Sequence, residues 1–181
     1  MTTRDKVRVL VACVGNLLRR DDGFGVAVAR TLADMRLPDG TVVIETGIGG
    51  LGIVHELMNG YDGLVIVDAV DVGASPGSLV VIEPLVEDPA GMSGDAWRTT
   101  FSNFHLAEPG RVLLLARGLG VLPPRLALIG CQPGDVESYG EELTAVVAGV
   151  VPNAAARVVE LVEGFARDAE SSVTRSTVRS A

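Results

Sequence analysis

The sequence is poor in aromatic residues and in cysteine. Aromatic residues make up 4% of the 181 residues, whereas hydrophobic residues of all kinds make up 48%, so the core must be mostly aliphatic. The two cysteines, Cys13 and Cys131, are far apart and form no C-x-x-C pair, which excludes a zinc ribbon and a dithiol redox motif. Both lie in apolar segments, and we expect them to be small core residues.

Positive charge is scarce as well, with 15 Lys and Arg residues against 23 Asp and Glu residues and a formal net charge of −8. Proteins that bind nucleic acid need a basic surface, so nucleic acid is not expected as the main partner. The N-terminal residues carry no signal-peptide pattern, and no apolar run has the length that spans a bilayer. We therefore expect a cytoplasmic protein that does not act at a membrane. We also expect it to be a monomer.

Two common catalytic motifs are absent from the sequence. Without H-E-x-x-H there is no usual zinc-protease helix, and without G-x-x-x-x-G-K-[ST] there is no P-loop. The residues G-A-S-P-G at 73–77 match G-x-S-x-G by letter, but the link in which they lie holds no helix, whereas the nucleophile elbow of a serine hydrolase joins a strand to a helix. Any catalytic chemistry must come from other residues.

Apolar segments and helical spacing alternate along the chain. The apolar segments predict strands at residues 7–14, 41–45, 64–68, 78–83 and 125–131. Helical spacing predicts helices at residues 23–35, from a glycine-rich turn to about 59, at 106–117 and at 140–167. Within the last of these, Pro152 is predicted to kink the helix or open a second segment. This alternation is typical of an α/β fold whose strands run parallel through right-handed crossovers.

The fourth predicted strand differs from the others. Its link from Asp68 holds turn residues and no helix, whereas parallel neighbours need a longer crossover. Strand four is therefore predicted to run antiparallel, at an edge of the sheet. We expect one domain over residues 1–168 and a disordered tail over residues 169–181, which are small and polar.

Acidic residues follow two of the predicted strands. Asp21 and Asp22 come after the first strand, and either could cap the first helix, or one could cap it while the other binds a ligand. Asp68 ends the apolar third strand, where a carboxylate is costly unless something pairs with it. Because the carboxyl ends of central strands face the ligand crevice of α/β sheets, Asp68 is a functional candidate.

Only two histidines are present. His105 lies in a loop before a predicted helix. Together with Asp22 and Asp68 it would give two oxygen ligands and one nitrogen ligand, a set that suits zinc or nickel. His55 lies within the short second helix and is expected at the surface.

A competing signal is G-I-G-G-L-G at residues 47–52, which matches G-x-G-x-x-G between a strand and a helix. Asp68 follows about twenty residues further on, where an acid that binds ribose is expected, so a dinucleotide-binding oxidoreductase is an alternative. Against it, this fingerprint belongs to the first βα turn of the fold, which here holds Asp21 and Asp22 instead.

The motif G-N-L-L-R-R-D-D-G-F-G at residues 15–25 resembles the opening of the hydrogenase maturation proteases, the endopeptidases that trim the C-terminus of nickel-iron hydrogenase large subunits. The resemblance continues through V-I-V-D-A-V at 65–70, S-P-G-S at 75–78, I-G-C-Q-P at 129–133 and E-L-T at 142–144. It covers residues 7–165. It implies a three-layer sandwich with a twisted, mainly parallel five-stranded sheet and helices on both faces.

The resemblance also implies the site and the substrate. Asp22, Asp68 and His105 would bind the metal and serve catalysis, in a family that some schemes group with the aspartic peptidases. The implied substrate is a large-subunit precursor that already carries nickel, so the nickel arrives with the substrate; zinc or cadmium could occupy the site in vitro. Candidates for substrate contact are Glu45, Arg19 and Arg20, of which Glu45 stands where the family often has aspartate.

Two mechanisms are open at this point. The metal polarises the scissile carbonyl or activates a water molecule, or it only positions the substrate while a carboxylate acts as general base. A chaperone that binds the metal-loaded precursor without cutting it is a further alternative.

Overall fold

The computed structural model describes residues 6–95 and 109–178, with side chains as far as residue 169. The strands are β1 (Val9–Val14), β2 (Thr41–Gly47), β3 (Gly63–Ala69), β4 (Leu79–Ile82) and β5 (Arg125–Cys131). The α-helices are α1 (Phe24–Ala33), α2 (Leu51–Leu57), α3 (Pro109–Gly118) and α4 (Ala145–Val178). Short 3₁₀ helices span Arg20–Gly23 and Pro89–Gly91.

The strands form one five-stranded sheet in the order β2-β1-β3-β5-β4. β1 pairs in parallel with β2 and β3, and β3 pairs in parallel with β5. β4 lies at the edge and runs antiparallel to β5, with Leu79 opposite Cys131. The predicted α/β fold and its antiparallel edge strand are confirmed.

Side chains of the central strands alternate between the two faces of the sheet. Val9, Val11 and Cys13 of β1 belong to the core cluster that α1 and α4 cover. Leu10 and Ala12 belong to the cluster that α2 and α3 cover. The protein is therefore a three-layer sandwich, and both cysteines are buried core residues, as predicted.

β1 and β3 are neighbours in the sheet, but the chain leaves them in opposite directions. From β1 it crosses through α1 to β2, on one side, whereas from β3 it continues to β4 on the other side. Ligands of α/β proteins bind at such a switch point, outside the carboxyl ends of the strands. The fold thus brings together the carboxyl ends of β1 and β3. Asp22 follows the end of β1, and Asp68 lies near the end of β3.

The bounds of α4 differ from the prediction. The helix was expected over residues 140–167, but it begins at Ala145 and continues to Val178. Pro152 lies inside it and does not divide it into two segments. Residues 140–144 belong instead to the loop before the helix. The division of the chain at residue 168, with a disordered tail beyond, stays a prediction.

The expectation that no apolar run has the length to span a bilayer is wrong. By length and composition alone, helix α4 is long and apolar enough to do so. Residues Ala145–Ala169 of α4 have a mean hydropathy of 1.6, and a third of the apolar window is buried in the protein. Val147, Val151, Val158 and Val162 of this helix belong to the core cluster on the sheet. Packing against the sheet thus accounts for the buried third of this apolar window.

Candidate active site

A cleft of about 410 Å³ opens at the carboxyl edge of the sheet, over the ends of β1 and β3. Its lining consists of Val14, Gly15, Asp22, Ile48, Asp68, Ala69, Val70, Asp71, Pro109 and Leu128. Two of the predicted site residues, Asp22 and Asp68, therefore share one cleft whose other walls are mostly apolar.

Asp68 lies near the end of β3 and is only 7% exposed. Burial raises the pKa of its carboxyl group to about 7, and the negative charge of Asp22 contributes in the same direction. A backbone hydrogen bond from Ala69 opposes the rise in pKa without cancelling it. Near neutral pH this carboxyl group therefore exists in both protonation states, as a general acid or base requires.

Asp22 lies in the 3₁₀ helix that follows β1, and it is half-buried. Burial raises the pKa of this carboxyl group too, while the Arg19 guanidinium and a backbone hydrogen bond from Asn16 oppose the shift. Two partly desolvated carboxyl groups, of which Asp22 adds to the raised pKa of Asp68, form a site where a cation is favoured over a second negative charge.

Asp21 is fully buried and does not point into the cleft lining. Its Oδ2 accepts hydrogen bonds from the backbone N–H groups of Gly134 at 2.8 Å and Asp135 at 2.9 Å. Thr144 donates through its N–H to Oδ1 at 2.6 Å and through its hydroxyl to Oδ2 at 2.9 Å. Burial alone would raise the pKa of Asp21, but these hydrogen bonds outweigh it and hold the pKa below its usual range.

The expectation that one of the paired acids caps the first helix is wrong. The N-cap of α1 is Gly23, with no side-chain capping bond, and the 3₁₀ helix before it has none either. Asp21 instead ties this 3₁₀ helix to the loop before α4. It thereby fixes the backbone from which Asp22 projects.

The arginines before these acids also contact the loop at residues 134–140. Arg20 has φ 46° and donates its N–H to the carbonyl of Gly140 at 2.8 Å, and its Nε lies 3.7 Å from Oδ2 of Asp135. The Arg19 guanidinium lies 5.2 Å from the ring centroid of Tyr139. Contact of Arg19 and Arg20 with a substrate stays a prediction.

Sequence reasoning missed the role of Gln132, which follows β5 and is 8% exposed. Its Oε1 accepts hydrogen bonds from the N–H groups of Val72 at 2.8 Å and Ala74 at 3.2 Å, and its Nε2 donates to Oδ1 of Asp71 at 3.1 Å. Gln132 thus holds the loop that forms one wall of the cleft. A buried amide directly after an apolar strand was the signal that could have identified it.

Glu45 lies near the end of β2 and is exposed. It lines a separate groove beside the cleft, and its contact with a substrate stays a prediction. The glycine-rich segment at residues 47–52 follows this edge strand and leads into α2, a helix of seven residues. That position, beside rather than within the centre of the sheet, does not support the dinucleotide alternative.

His105 lies outside the described residues, so its place in the site stays a prediction. Among the residues that the structure describes, no three His, Cys, Asp or Glu side chains are grouped so as to hold a metal ion. The described part of the proposed ligand set is the pair Asp22 and Asp68. The other histidine, His55, is exposed on α2, as expected.

The amino-acid sequence of this chain is similar to those of known proteins. The family model described as hydrogenase maturation protease matches residues 26–161. The chain is 36% identical over 159 residues to the hydrogenase expression/formation protein HupD of Rhizobium leguminosarum, covering 87% of this chain and 75% of the relative. It is 32% identical to HoxM of Cupriavidus necator, covering 84% of this chain and 73% of the relative.

Solved structures give the same result. The hydrogenase maturating endopeptidase HybD of Escherichia coli superposes with a TM-score of 0.70 at 27% identity, covering 87% of this chain and 93% of that one. A hydrogenase 2 maturation peptidase from a Thaumarchaeota archaeon superposes with a TM-score of 0.60 at 32% identity, covering 84% and 96%.

Proposed function

The chain belongs to the hydrogenase maturation protease family and is an endopeptidase, and we propose that its substrate is the nickel-loaded precursor of a nickel-iron hydrogenase large subunit. The bond that it cuts in this proposal is the one that releases the C-terminal extension of the precursor. The nickel ion is part of the substrate and enters the cleft with it.

The observation that carries the proposal is the shared cleft of Asp22 and Asp68 at the switch point of the sheet. Carboxylate oxygens bind divalent cations, and these two are partly desolvated on apolar walls, so an incoming cation relieves their mutual repulsion. A precursor without its metal gains none of this attraction. The site would thereby select the loaded precursor. His105 is proposed as the nitrogen ligand beside them.

The protein groups have separate tasks in this proposal. Asp22 provides negative charge for the cation on the substrate. Asp68 lies beside the cation and takes a proton from the attacking water or returns one to the leaving amine. The nickel on the substrate stabilises the charge that develops on the scissile carbonyl.

The test is cleavage of the nickel-loaded precursor by the wild type and by Asp22→Asn, Asp68→Asn and His105→Ala, followed by mass spectrometry of the precursor. We expect each variant to lose at least about a hundredfold in rate, the range for loss of one acid–base or charge-stabilising group. Asp39→Asn serves as the matched control, because this exposed carboxylate pairs with Lys6 before β1, at the opposite end of the sheet.

Normal processing by all three variants would contradict the proposed site. A different outcome is that the wild type binds the loaded precursor and leaves its mass unchanged under every condition. The precursor would then not be a substrate for cleavage, and the chaperone alternative would describe its binding. A metal-free precursor that is cut as fast as the loaded one would contradict the selection by nickel.

A further inference from the structure

A second depression adjoins the cleft on the side of β2. It has a volume of about 290 Å³ and is lined by Gly15, Asn16, Leu17, Leu18, Val26, Glu45, Gly47 and Ile48. We call it the leucine groove. Gly15 and Ile48 line both the groove and the cleft, so the two depressions adjoin each other, and together we call them the trough.

Leu18 is exposed in the groove although the backbone around it is held by hydrogen bonds. Its side chain is 59% exposed. Its N–H donates to Oδ1 of Asn16 at 3.0 Å, and its carbonyl accepts from the N–H of Gly140 at 3.1 Å. Leu18 lines the groove together with Ile48, and exposed apolar residues that adjoin in this way are typical of an interaction site.

Ile48 also lines the leucine groove and is 63% exposed. The backbone before it is fixed, because the N–H of Gly15 donates to the carbonyl of Gly47 at 3.1 Å. The half-buried side chain of Leu17 and the buried side chain of Val26 complete the apolar part of the groove lining.

We infer that the leucine groove binds an apolar side chain of the substrate polypeptide, next to the scissile bond. The inference rests on the proposed function. An endopeptidase holds its substrate on both sides of the bond that it cuts, and a chain that crosses the cleft at Asp68 continues directly into this groove.

The size of the groove favours a peptide segment over a second copy of this chain. Stable dimers bury about 800 Å² on each partner. A depression of about 290 Å³ with two exposed large apolar side chains provides much less surface than that, but it fits one or two side chains of an extended segment.

The test uses Leu18→Ser and Ile48→Ser in the full chain. The readouts are steady-state cleavage of the nickel-loaded precursor and direct measurement of precursor affinity. We expect KM and Kd to rise about tenfold in each variant, the loss expected for one apolar contact, with kcat unchanged. Met58→Ser is the matched control, since Met58 is 57% exposed at the C-terminal end of α2, away from the trough.

Several results would overturn the inference. They are an unchanged KM in both variants, a fall in kcat alone, or self-association of the wild type that the serine variants abolish while precursor affinity stays the same. Failure of the proposed function is distinguishable. If the wild type binds the precursor without cutting it, and both serine variants weaken that binding, the groove is supported and the proposed cleavage is not.

Discussion

Asp68 is held in an environment that opposes its own charge. It follows four buried aliphatic residues of β3 and is itself almost completely buried. Removing a carboxylate from water without a compensating partner costs stability, which makes this residue an unfavourable choice on structural grounds alone. Its pKa of about 7 is the measurable consequence of that cost.

The raised pKa of Asp68 makes the stability of the protein depend on pH. Because the pKa of Asp68 in the folded state is raised above its unfolded value of about 3.9, the folded state binds more protons in the window between that value and about 7. The stability of the wild type therefore falls as the pH rises through this window. Asp68→Asn removes the effect, so the variant gains on the wild type in urea denaturation between about pH 5 and about pH 8.

Asp22→Asn provides a second arm of the same experiment. Burial is the main cause of the raised pKa of Asp68, and the charge of Asp22 adds to it. We therefore expect the pKa of Asp68 in this variant to fall while staying above its usual range, measured by carboxyl NMR titration. A titration of Asp68 near its usual value in the wild type would refute the prediction, and Asp39→Asn should change nothing.

Single residues differ in how far the sequence could predict them. Asp22 and Asp68 could be predicted because each follows or ends a strand, and parallel strands end at one edge. The partners of Asp21 lie at Gly134, Asp135 and Thr144, more than a hundred residues away in the chain, so its role depended on contacts that no local pattern encodes.

At the scale of elements, connection length was the most reliable guide. The short link after β3 correctly predicted that β4 runs antiparallel, because a parallel strand needs a crossover. The start of α4 was not predictable from periodicity. The loop before it is held by side-chain hydrogen bonds to Asp21, and these compete with helix formation at residues 140–144.

Helix α1 packs so closely on the sheet that a side chain at Gly25 has no room. A Cβ atom on Gly25 would lie 2.0 Å from the carbonyl oxygen of Val14 and 2.6 Å from that of Val67. Gly25→Ala must therefore push α1 away from β1 and β3, at a cost of about 3 kcal/mol in the free energy of unfolding, the upper end for overpacking. Chemical denaturation measures this cost.

The control is Gly149→Ala in α4, where an added Cβ meets no atom within 4 Å. This variant should gain about 0.5–1 kcal/mol from helix propensity. If Gly25→Ala and the wild type were equally stable, α1 would not lie close enough to the sheet for a Cβ atom at Gly25 to clash with the carbonyl oxygens of Val14 and Val67. Since the 3₁₀ helix that carries Asp22 leads directly into α1, Gly25→Ala should also slow cleavage.

At the scale of the whole molecule, the described side chains form one core cluster on each face of the sheet. Among the residues whose side chains are described, the cluster under α1 and α4 holds 18 buried residues, and the one under α2 and α3 holds 13. α4 provides six of the buried residues in the first cluster, from Val147 to Val162. These six residues hold the helix on the sheet.

Truncation of the chain tests the packing of α4 on the sheet and the predicted domain boundary together. The ring of Phe165 lies directly on Gly63 at the start of β3, where an added Cβ would be 2.6 Å from Cδ2 of the ring. A chain that ends at residue 168 keeps this contact and the buried residues of α4 from Val147 to Val162. It should match the full chain in Tm within about 2 °C and in cleavage rate.

A chain that ends at residue 161 loses Val162 and Phe165, which should cost roughly 3 kcal/mol or more and lower Tm by roughly 10 °C. If the chain ending at residue 168 unfolded as easily as the shorter one, the last residues would be part of the folded domain, and the predicted boundary would be wrong.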